Sequence, residues 1–215
     1  MSSAKDQILA HLKRASSSTV DGLASALGSA RMTIRQHLTA LERDGLIVSR
    51  EERQRTGRPH LLFSLSDRGQ EIFPKRYDRL ADLALQEVAC LDPGEIVGLS
   101  PQQKKQLLLR KMAQRLYLQY EARVAGKNLP ERVAAAAQIL QEESGFAEWR
   151  MAEQGFEIVD YNCVYRRVAD SHGDLCDLHL TLLSRLLGQD VECNQLMSQG
   201  AECCRFIVRP EVAGR

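Results

Sequence analysis

The sequence predicts an α+β protein in three parts, and three observations support this prediction. Apolar residues recur at helical spacing in the first 45 residues, and two strand patterns follow them. Long amphipathic helical patterns fill the middle, and beyond residue 145 strand patterns surround one further helix. Five of the six cysteines lie in the last 53 residues. We therefore expect domains at residues 1–75, 76–129 and 130–215.

The composition is that of a globular protein kept in the cytosol. With 215 residues and 44% hydrophobic residues, the chain can build packed cores. No apolar run is long enough to span a membrane, and "MSSAKDQILAHLKR" lacks the features of a signal peptide. Cysteines stay reduced in the cytosol, so clustered cysteines there are more often metal ligands or redox sensors than disulfides.

Charge is unevenly divided along the chain. Residues 1–80 hold 14 Lys and Arg against 9 Asp and Glu, and the remaining residues hold 15 against 19. A basic front joined to an acidic back indicates that the front alone meets a polyanion.

Three helices are predicted in the front domain. The first contains Ile8, Leu9 and Leu12, and the second, "VDGLASALG", takes its N-terminal cap from Ser18 or Thr19. The third, "ARMTIRQHLTALERDG", takes Ser29 as its expected cap. Its expected core positions are Ile34, Leu38 and Leu41.

The outward side chains of the third helix are those expected of a helix that enters the DNA major groove. We expect Arg35 and Gln36 to pair with base edges, and Arg31 and Thr33, near the helix start, to contact phosphates. Thr39 lies on the same outward side and completes this candidate set.

"LIVSREE" and "HLLFSL" read as two strands, and "RQRTGRP" between them reads as a basic turn. Helices followed by such a hairpin predict an N-terminal winged helix-turn-helix that binds double-stranded operator DNA. Arg53, Arg55 and Arg58 in the turn are expected to reach the DNA backbone or the minor groove. The stretch "TIRQHLTALERDGLIVSREERQRTGRPHLLFSL" resembles the winged-helix regulators of the DeoR, ArsR and MarR type.

The middle segments "DRGQEIFPKRYDRLADLALQEVACL" and "SPQQKKQLLLRKMAQRLYLQYEARVAG" predict long helices, the second capped by Ser100. We interpret them as central dimerisation helices, because a homodimer lets two recognition helices reach consecutive major grooves. Cys90 ends a Leu and Ala stripe and is expected to be a buried core thiol.

Beyond residue 129 the pattern predicts a helix followed by a small α+β domain with a cysteine cluster. We expect Cys163 to end a strand, Cys176 to open a helix that favours its thiolate, and Cys193 to lie on a strand. Cys203 or Cys204 would begin the last strand, and these two neighbours must face opposite sides.

The cysteine spacing allows more than one role. No Cys-x-x-Cys pair occurs, which argues against structural zinc. Thiols from separate elements that converge on one rim suit an iron–sulfur cluster. His172 and His179 are near enough to act as substitute ligands, and the alternative is that the cysteines are core residues without a shared task.

The back of the chain resembles a second family. "PERVAAAAQILQEESGFAEWR", "DYNCVYRRVADSHGDLCDLH" and "VECNQLMSQGAECCRFIV" are similar to the C-terminal domain of SufR-type regulators, the iron–sulfur repressors of a cluster-assembly operon. The resemblance implies a [4Fe–4S] cluster and ligands at Cys163, Cys176 and Cys204. The family's further cysteine falls where this chain has Gln189 or Asp190.

The departure at Gln189 and Asp190 leaves the fourth ligand open. Cys193, three residues beyond, is the preferred fourth ligand, and Cys203 is additional. The departure also allows a sister subfamily that senses nitric oxide or oxidants. A winged-helix regulator with a zinc or bare-thiol redox switch is the alternative reading. No phosphate loop, nucleophile elbow or metalloprotease motif occurs, so we expect neither an enzyme nor a small-molecule substrate.

Overall fold

Three helices open the chain and follow the predicted apolar period. The computed structural model describes residues 3–52, 60–153 and 155–210. Helix α1 spans Ala4–Ala15, α2 spans Val20–Leu27 and α3 spans Arg31–Arg43. The core that they share is built from the predicted side chains and includes Ile8, Leu9, Leu12, Leu23, Ile34, Leu38 and Leu41.

The turn between α2 and α3 corrects one expectation. Thr19 caps α2 as predicted, since its Oγ1 accepts a hydrogen bond from the Gly22 amide at 3.0 Å. Ser29 does not cap α3, which begins after Ala30. The Ser29 amide instead donates to the Ala24 carbonyl at 3.0 Å and closes the end of α2. This closure uses Gly28 in the left-handed conformation at φ 60°, so α3 starts one residue later.

The predicted hairpin follows α3. Strand β2, Ile47–Glu52, pairs antiparallel with β3, His60–Leu65. A two-residue strand that the sequence did not indicate, β1 at Ser17–Ser18, pairs with the other edge of β3. The resulting sheet has the order β1-β3-β2, as a winged helix requires. A short helix, α4 at Asp67–Glu71, ends this part of the chain.

Helices dominate the next part of the chain. Helix α5 spans Tyr77–Ala89, the short α6 spans Pro93–Ile96, α7 spans Pro101–Tyr120 and α8 spans Leu129–Ser144. The first middle segment is not one continuous helix, because the chain leaves the helical path between α4 and α5, where Pro74 lies. Ser100 caps α7 as predicted and accepts from the Gln103 amide at 3.3 Å.

Four antiparallel strands form the last sheet. They are β4 at Ala147–Ala152, β5 at Gly155–Asp160, β6 at Glu192–Gln195 and β7 at Cys204–Val208, in the order β4-β5-β7-β6. Two helices lie between β5 and β6 in the chain. They are α9, Arg166–Ser171, which the sequence did not indicate, and the predicted α10, Cys176–Leu187.

Contacts divide the chain into two units, residues 1–73 and 74–215. The sequence suggested a separate helical part at 76–129, but its helices share one core with the sheet domain. Leu109 and Leu116 of α7 belong to the same buried cluster as Ile139, Ile158 and Leu183. In the part of the chain that the structure describes, no helix is both long and apolar enough to cross a membrane.

Cys90 is exposed, so the expectation of a buried core thiol was wrong. Leu83 and Glu87 are the buried positions of α5, and the helix ends at Ala89. Because the chain leaves the helix there, the helical period no longer directs residue 90 toward the core. The Cys90 amide closes the helix by donating to the Glu87 carbonyl at 3.1 Å.

Candidate nucleic-acid interface and metal centre

Helix α3 presents one buried face and one exposed face. Ile34 and Leu38 hold the helix against the core of the first unit. Every side chain of α3 that the sequence assigned to DNA contact is exposed, namely Arg31, Thr33, Arg35, Gln36 and Thr39. The structure therefore leaves this whole set accessible to a ligand, as a recognition helix requires.

The start of α3 suits an anion. Ala30 provides no side-chain cap, so the first-turn amides carry the positive end of the helix dipole without a capping oxygen. Arg31 is held beside this end by an ion pair with Asp21 of α2, with 2.8 Å between Nε and Oδ1. Both side chains are exposed, so the pair orients Arg31 without burying its charge.

A cleft lies between α3 and the hairpin. It encloses about 430 Å³, and Arg35, Thr39 and Glu42 of α3 line one side of it. Ser49 of β2 donates to Glu42 at 2.6 Å, which ties the helix to the hairpin. The last strand pair before the turn is Glu52 with His60, so residues 53–59 join the two strands. The predicted wing arginines Arg53, Arg55 and Arg58 lie outside the described residues.

The four predicted ligand cysteines come from three elements and one loop of the second unit. Cys176 is the first residue of α10, Cys193 lies on β6 and Cys204 begins β7, as the sequence predicted. Cys163 does not end a strand, because β5 stops at Asp160 and the cysteine follows in a loop. All four are free thiols of intermediate exposure.

The four thiols are close enough to affect one another's ionisation. Burial raises the pKa of Cys163 to about 11, and the charges of Asp160 and Cys176 add to this rise. Burial also raises the pKa of Cys204, with contributions from Cys163, Asp160 and Cys193. The pKa of Cys193 is raised by burial and, in smaller part, by Cys176 and Cys203. Cys163, Cys193 and Cys204 also pack against one core cluster, and we call the group of Cys163, Cys176, Cys193 and Cys204 the cysteine pocket.

Cys176 departs from one expectation. The helix start was expected to favour its thiolate, but burial raises the pKa of this thiol, and the nearby acids Asp177, Asp170 and Asp174 raise it further. The helix dipole does not outweigh burial and three carboxylates.

Hydrogen-bond donors surround the sulfur atoms. The backbone of Tyr165 bonds to Cys163 and that of Met197 to Cys204, and both bonds lower thiol pKa values that burial raises. Ser198 Oγ lies 3.1 Å from the Cys176 sulfur. Such bonds stabilise thiolates, and hydrogen bonds to sulfur are among the features that tune an iron–sulfur centre.

The side chains of Cys203 and Cys204 have different neighbours. Its side chain is buried and donates to Gln195 Oε1 at 3.6 Å, and Arg205 also bonds to Gln195. Cys204 packs against the core cluster of the second unit. The two side chains therefore lie in different surroundings, although β7 begins only at Cys204 and Cys203 precedes the strand.

The pocket does not resemble a site for one ion. Among residues 3–52, 60–153 and 155–210, no three His, Cys, Asp or Glu side chains are placed to hold a single metal ion. A cluster distributes its thiolate ligands over several irons, so this donor set fits a cluster better than one ion.

The two histidines have separate positions. His179 is half-buried and stacks on Tyr165, with 5.4 Å between ring centroids and 14° between planes. Burial lowers its pKa to about 4, so it stays neutral and serves packing. His172 is exposed at the end of α9.

Asp160 and Ser198, which the sequence did not indicate, both lie beside thiols of the cysteine pocket. Asp160 is buried at the end of β5, directly opposite Cys204 in the sheet. An acidic residue at the end of an apolar strand was the available signal. Ser198 lies in a single helical turn, Met197–Gln199, that no periodic pattern marks.

Comparison with known proteins identifies the front of the chain. Residues 5–48 match the family described as winged helix-turn-helix DNA-binding. The crystal structure of Bacillus subtilis PadR in complex with operator DNA is similar over 86% of this chain and 89% of that chain, with 16% identity and a TM-score of 0.29. A likeness at that score carries no argument about this chain. No curated protein matches the sequence.

The matched segment covers α1, α2, α3 and the start of β2, which are the elements that the fold places in the first unit. The chain therefore carries a winged helix-turn-helix DNA-binding domain at its N-terminal end.

Two substitutions test the orientation of α3. We expect Gln36→Ala to weaken binding to a preferred duplex, selected from random DNA, by about 1 to 3 kcal/mol and to leave non-specific binding unchanged. Arg31→Ala should weaken binding to all duplexes. It should also reduce the slope of the logarithm of the binding constant against the logarithm of the salt concentration by about one unit. Fluorescence anisotropy at several salt concentrations measures both effects. Equal losses on every duplex for both variants would contradict this orientation.

The pocket also predicts a pH dependence. In the metal-free protein Cys163 stays protonated up to a pKa of about 11, whereas an unfolded thiol ionises near its usual value of 9.0. The resulting stability is present below pH 9 and is lost as the pH rises toward 11, by about 2 to 3 kcal/mol. Urea unfolding measures the free energy of unfolding at pH 8 to 11. Its decline with rising pH should be shallower in Cys163→Ala than in the wild type, and the same as in the wild type in the exposed Cys90→Ala. Identical profiles for all three proteins would refute the assignment.

Proposed function

We propose that this protein is a winged-helix transcriptional regulator, acting as a repressor, whose affinity for operator DNA is set by an iron–sulfur cluster. Cys163, Cys176, Cys193 and Cys204 are the proposed ligands, and a [4Fe–4S] cluster is the proposed form. The observation that carries the proposal is the grouping of four partly exposed free thiols in one unit, supplied by the loop after β5 and by α10, β6 and β7.

The neighbours of each thiol support Cys193 as the fourth ligand. Cys193 contributes to the raised pKa of Cys204, and the pKa of Cys193 is itself raised by Cys176 and Cys203. Cys193 packs against the same core cluster as Cys163 and Cys204, whereas the buried Cys203 is engaged with Gln195 and Arg205. We therefore take Cys193 as the fourth ligand and Cys203 as a neighbour of the site.

The residues of the pocket hold and orient the thiols. Cys163 and Cys204 receive backbone hydrogen bonds, and Ser198 contacts Cys176. A bound cluster supplies a centre that iron shortage, oxygen or nitric oxide can dismantle. Operator affinity then changes only if the cluster favours one arrangement of the protein over another.

The raised thiol pKa values bear on the bare-thiol alternative, although a cluster must also displace protons from these thiols when it binds. A bare-thiol switch needs thiolates at neutral pH, because the thiolate is the reactive form. Burial holds Cys163 and Cys204 in the protonated form instead. The sequence has no Cys-x-x-Cys pair, which likewise disfavours a zinc switch.

We also propose that the regulator is a homodimer. Helix α5 carries an apolar face that the second unit does not cover, with Leu85 70% and Val88 54% exposed. Ala81 extends this face at helical spacing and is exposed as well. A second copy of α5 would bury the face and give the two-fold symmetry that a palindromic operator requires.

Single cysteine variants test the cluster. Cys163→Ser, Cys176→Ser and Cys204→Ser should each abolish stable iron binding, because each removes one thiolate ligand, while circular dichroism shows an intact fold. Cys193→Ser should leave a cluster that oxygen degrades faster, and Cys90→Ser should bind iron like the wild type. Iron and sulfide analysis after anaerobic reconstitution, with the absorbance near 400 nm, is the measurement. Full iron content in Cys163→Ser or Cys176→Ser would eliminate the cluster assignment.

A double substitution tests the dimer. We expect the wild type to be dimeric at micromolar concentration with or without iron. Replacing both Leu85 and Val88 by Glu should weaken the dimer more than a hundredfold, since each apolar side chain contributes about 1.5 to 3 kcal/mol when buried. Met151→Glu, at a 78% exposed position on β4, is the matched control. Analytical ultracentrifugation decides, and an unchanged dimer in the double variant would place the interface elsewhere.

A further inference from the structure

Asn162, the residue before Cys163, is fully buried and makes hydrogen bonds to two distant parts of the second unit. Its Nδ2 donates to the Pro74 carbonyl at 3.0 Å and to the Ser144 carbonyl at 2.9 Å. Its Oδ1 accepts from Lys75 Nζ at 3.1 Å. The three bonds use both hydrogens and the oxygen of the Asn162 amide, and all three partners lie in other segments of the second unit.

The residues after Cys163 bond to the same segment. The Val164 carbonyl accepts from the Arg76 amide at 3.0 Å. The Arg167 amide donates to the Tyr77 hydroxyl at 3.3 Å. Residues on both sides of Cys163 are thus bonded to residues 74–77.

Residues 74–77 have a special place in the chain. They are the first residues of the second unit and directly follow residue 73, the last of the DNA-binding unit. They also lead into α5, which begins at Tyr77. A displacement of this segment changes both the point where the DNA-binding unit is attached and the start of the helix that carries the exposed apolar face.

We propose that Asn162 is a positioning residue that couples the state of Cys163 to residues 74–77, and hence to the attachment of the DNA-binding unit. The inference rests on the proposed function, in which Cys163 changes between a bound thiolate and a free thiol. A buried amide that loses its partners is strongly disfavoured, so the Cys163 loop and the segment move together rather than separate.

Coupling of this kind is reciprocal, so it can be measured without a cluster. A change at residues 74–77 must alter Cys163, which lies about ninety positions further along the chain. The readout is the rate at which iodoacetamide alkylates Cys163 in the metal-free, full-length protein, determined by mass spectrometry. Cys193 in the same molecules is the internal reference, because its sulfur bonds to the Gln195 carbonyl of its own strand.

Three variants separate coupling from general loosening. Asn162→Leu removes all three side-chain bonds at similar volume and should speed alkylation of Cys163 at least fivefold, with Cys193 unchanged. Lys75→Met changes the segment 74–77 rather than the Cys163 loop. It leaves the two bonds from Asn162 to the Pro74 and Ser144 carbonyls in place, and it should speed alkylation of Cys163 about twofold. Gln141→Met is the control, because it removes an amide that bonds to Gly145 and Ala147 at the same end of α8, and it should change neither rate.

The second measurement is hydrogen exchange of a peptide covering residues 74–77 in protein with and without reconstituted iron and sulfide. Loading should slow exchange in the wild type and have no effect in Asn162→Leu. If Asn162→Leu does not fold, Lys75→Met carries the test. Unchanged alkylation of Cys163 in Lys75→Met and Asn162→Leu, or equal acceleration of Cys163 and Cys193, overturns the coupling. A wild type that takes up no iron refutes the proposed function, while the alkylation rates still decide the coupling.

Discussion

One hydrophobic core joins α8, α10 and the four-stranded sheet, and it determines where the thiols of the cysteine pocket lie. Helix α8 packs against β4 and β5, and α10 packs against α7 and α8. Ile158 and Phe206 of the sheet, and Leu178 and Leu183 on α10, belong to one buried cluster, against which Cys163, Cys193 and Cys204 pack. The pocket is thus a product of the hydrophobic core and needs no disulfide to assemble.

Local patterns predicted most of the elements but not their grouping. The front helices follow a strong apolar period, and Thr19, Gly28 and Ser100 are caps of ordinary type. Strand β1 was not predicted because its two serines show no hydrophobic pattern. Helix α9 was not predicted because six residues are too few to show a helical period. That α7 shares a core with the sheet depends on contacts between distant residues, which sequence spacing does not encode.

The candidate sites were predictable to different degrees. Exposure of Gln36 and Arg35 follows directly from helical geometry once Ile34 and Leu38 are placed in the core. The ionisation of the thiols did not follow, because the expectation for Cys176 considered the helix dipole and ignored burial and three nearby carboxylates. No sequence pattern indicated Asn162, because a buried asparagine cannot be distinguished from a surface asparagine until its hydrogen-bond partners are known.

The protonated state of the buried thiols makes metal binding in the cysteine pocket dependent on pH. Metal ligation requires thiolates, so any metal that enters the pocket must displace protons from Cys163 and Cys204, whose pKa values burial raises. Metal and protons therefore compete for the same sulfur atoms. For the proposed iron-bound form, a lower pH at equal iron supply therefore reduces the occupancy of the cysteine pocket, and a higher pH increases it.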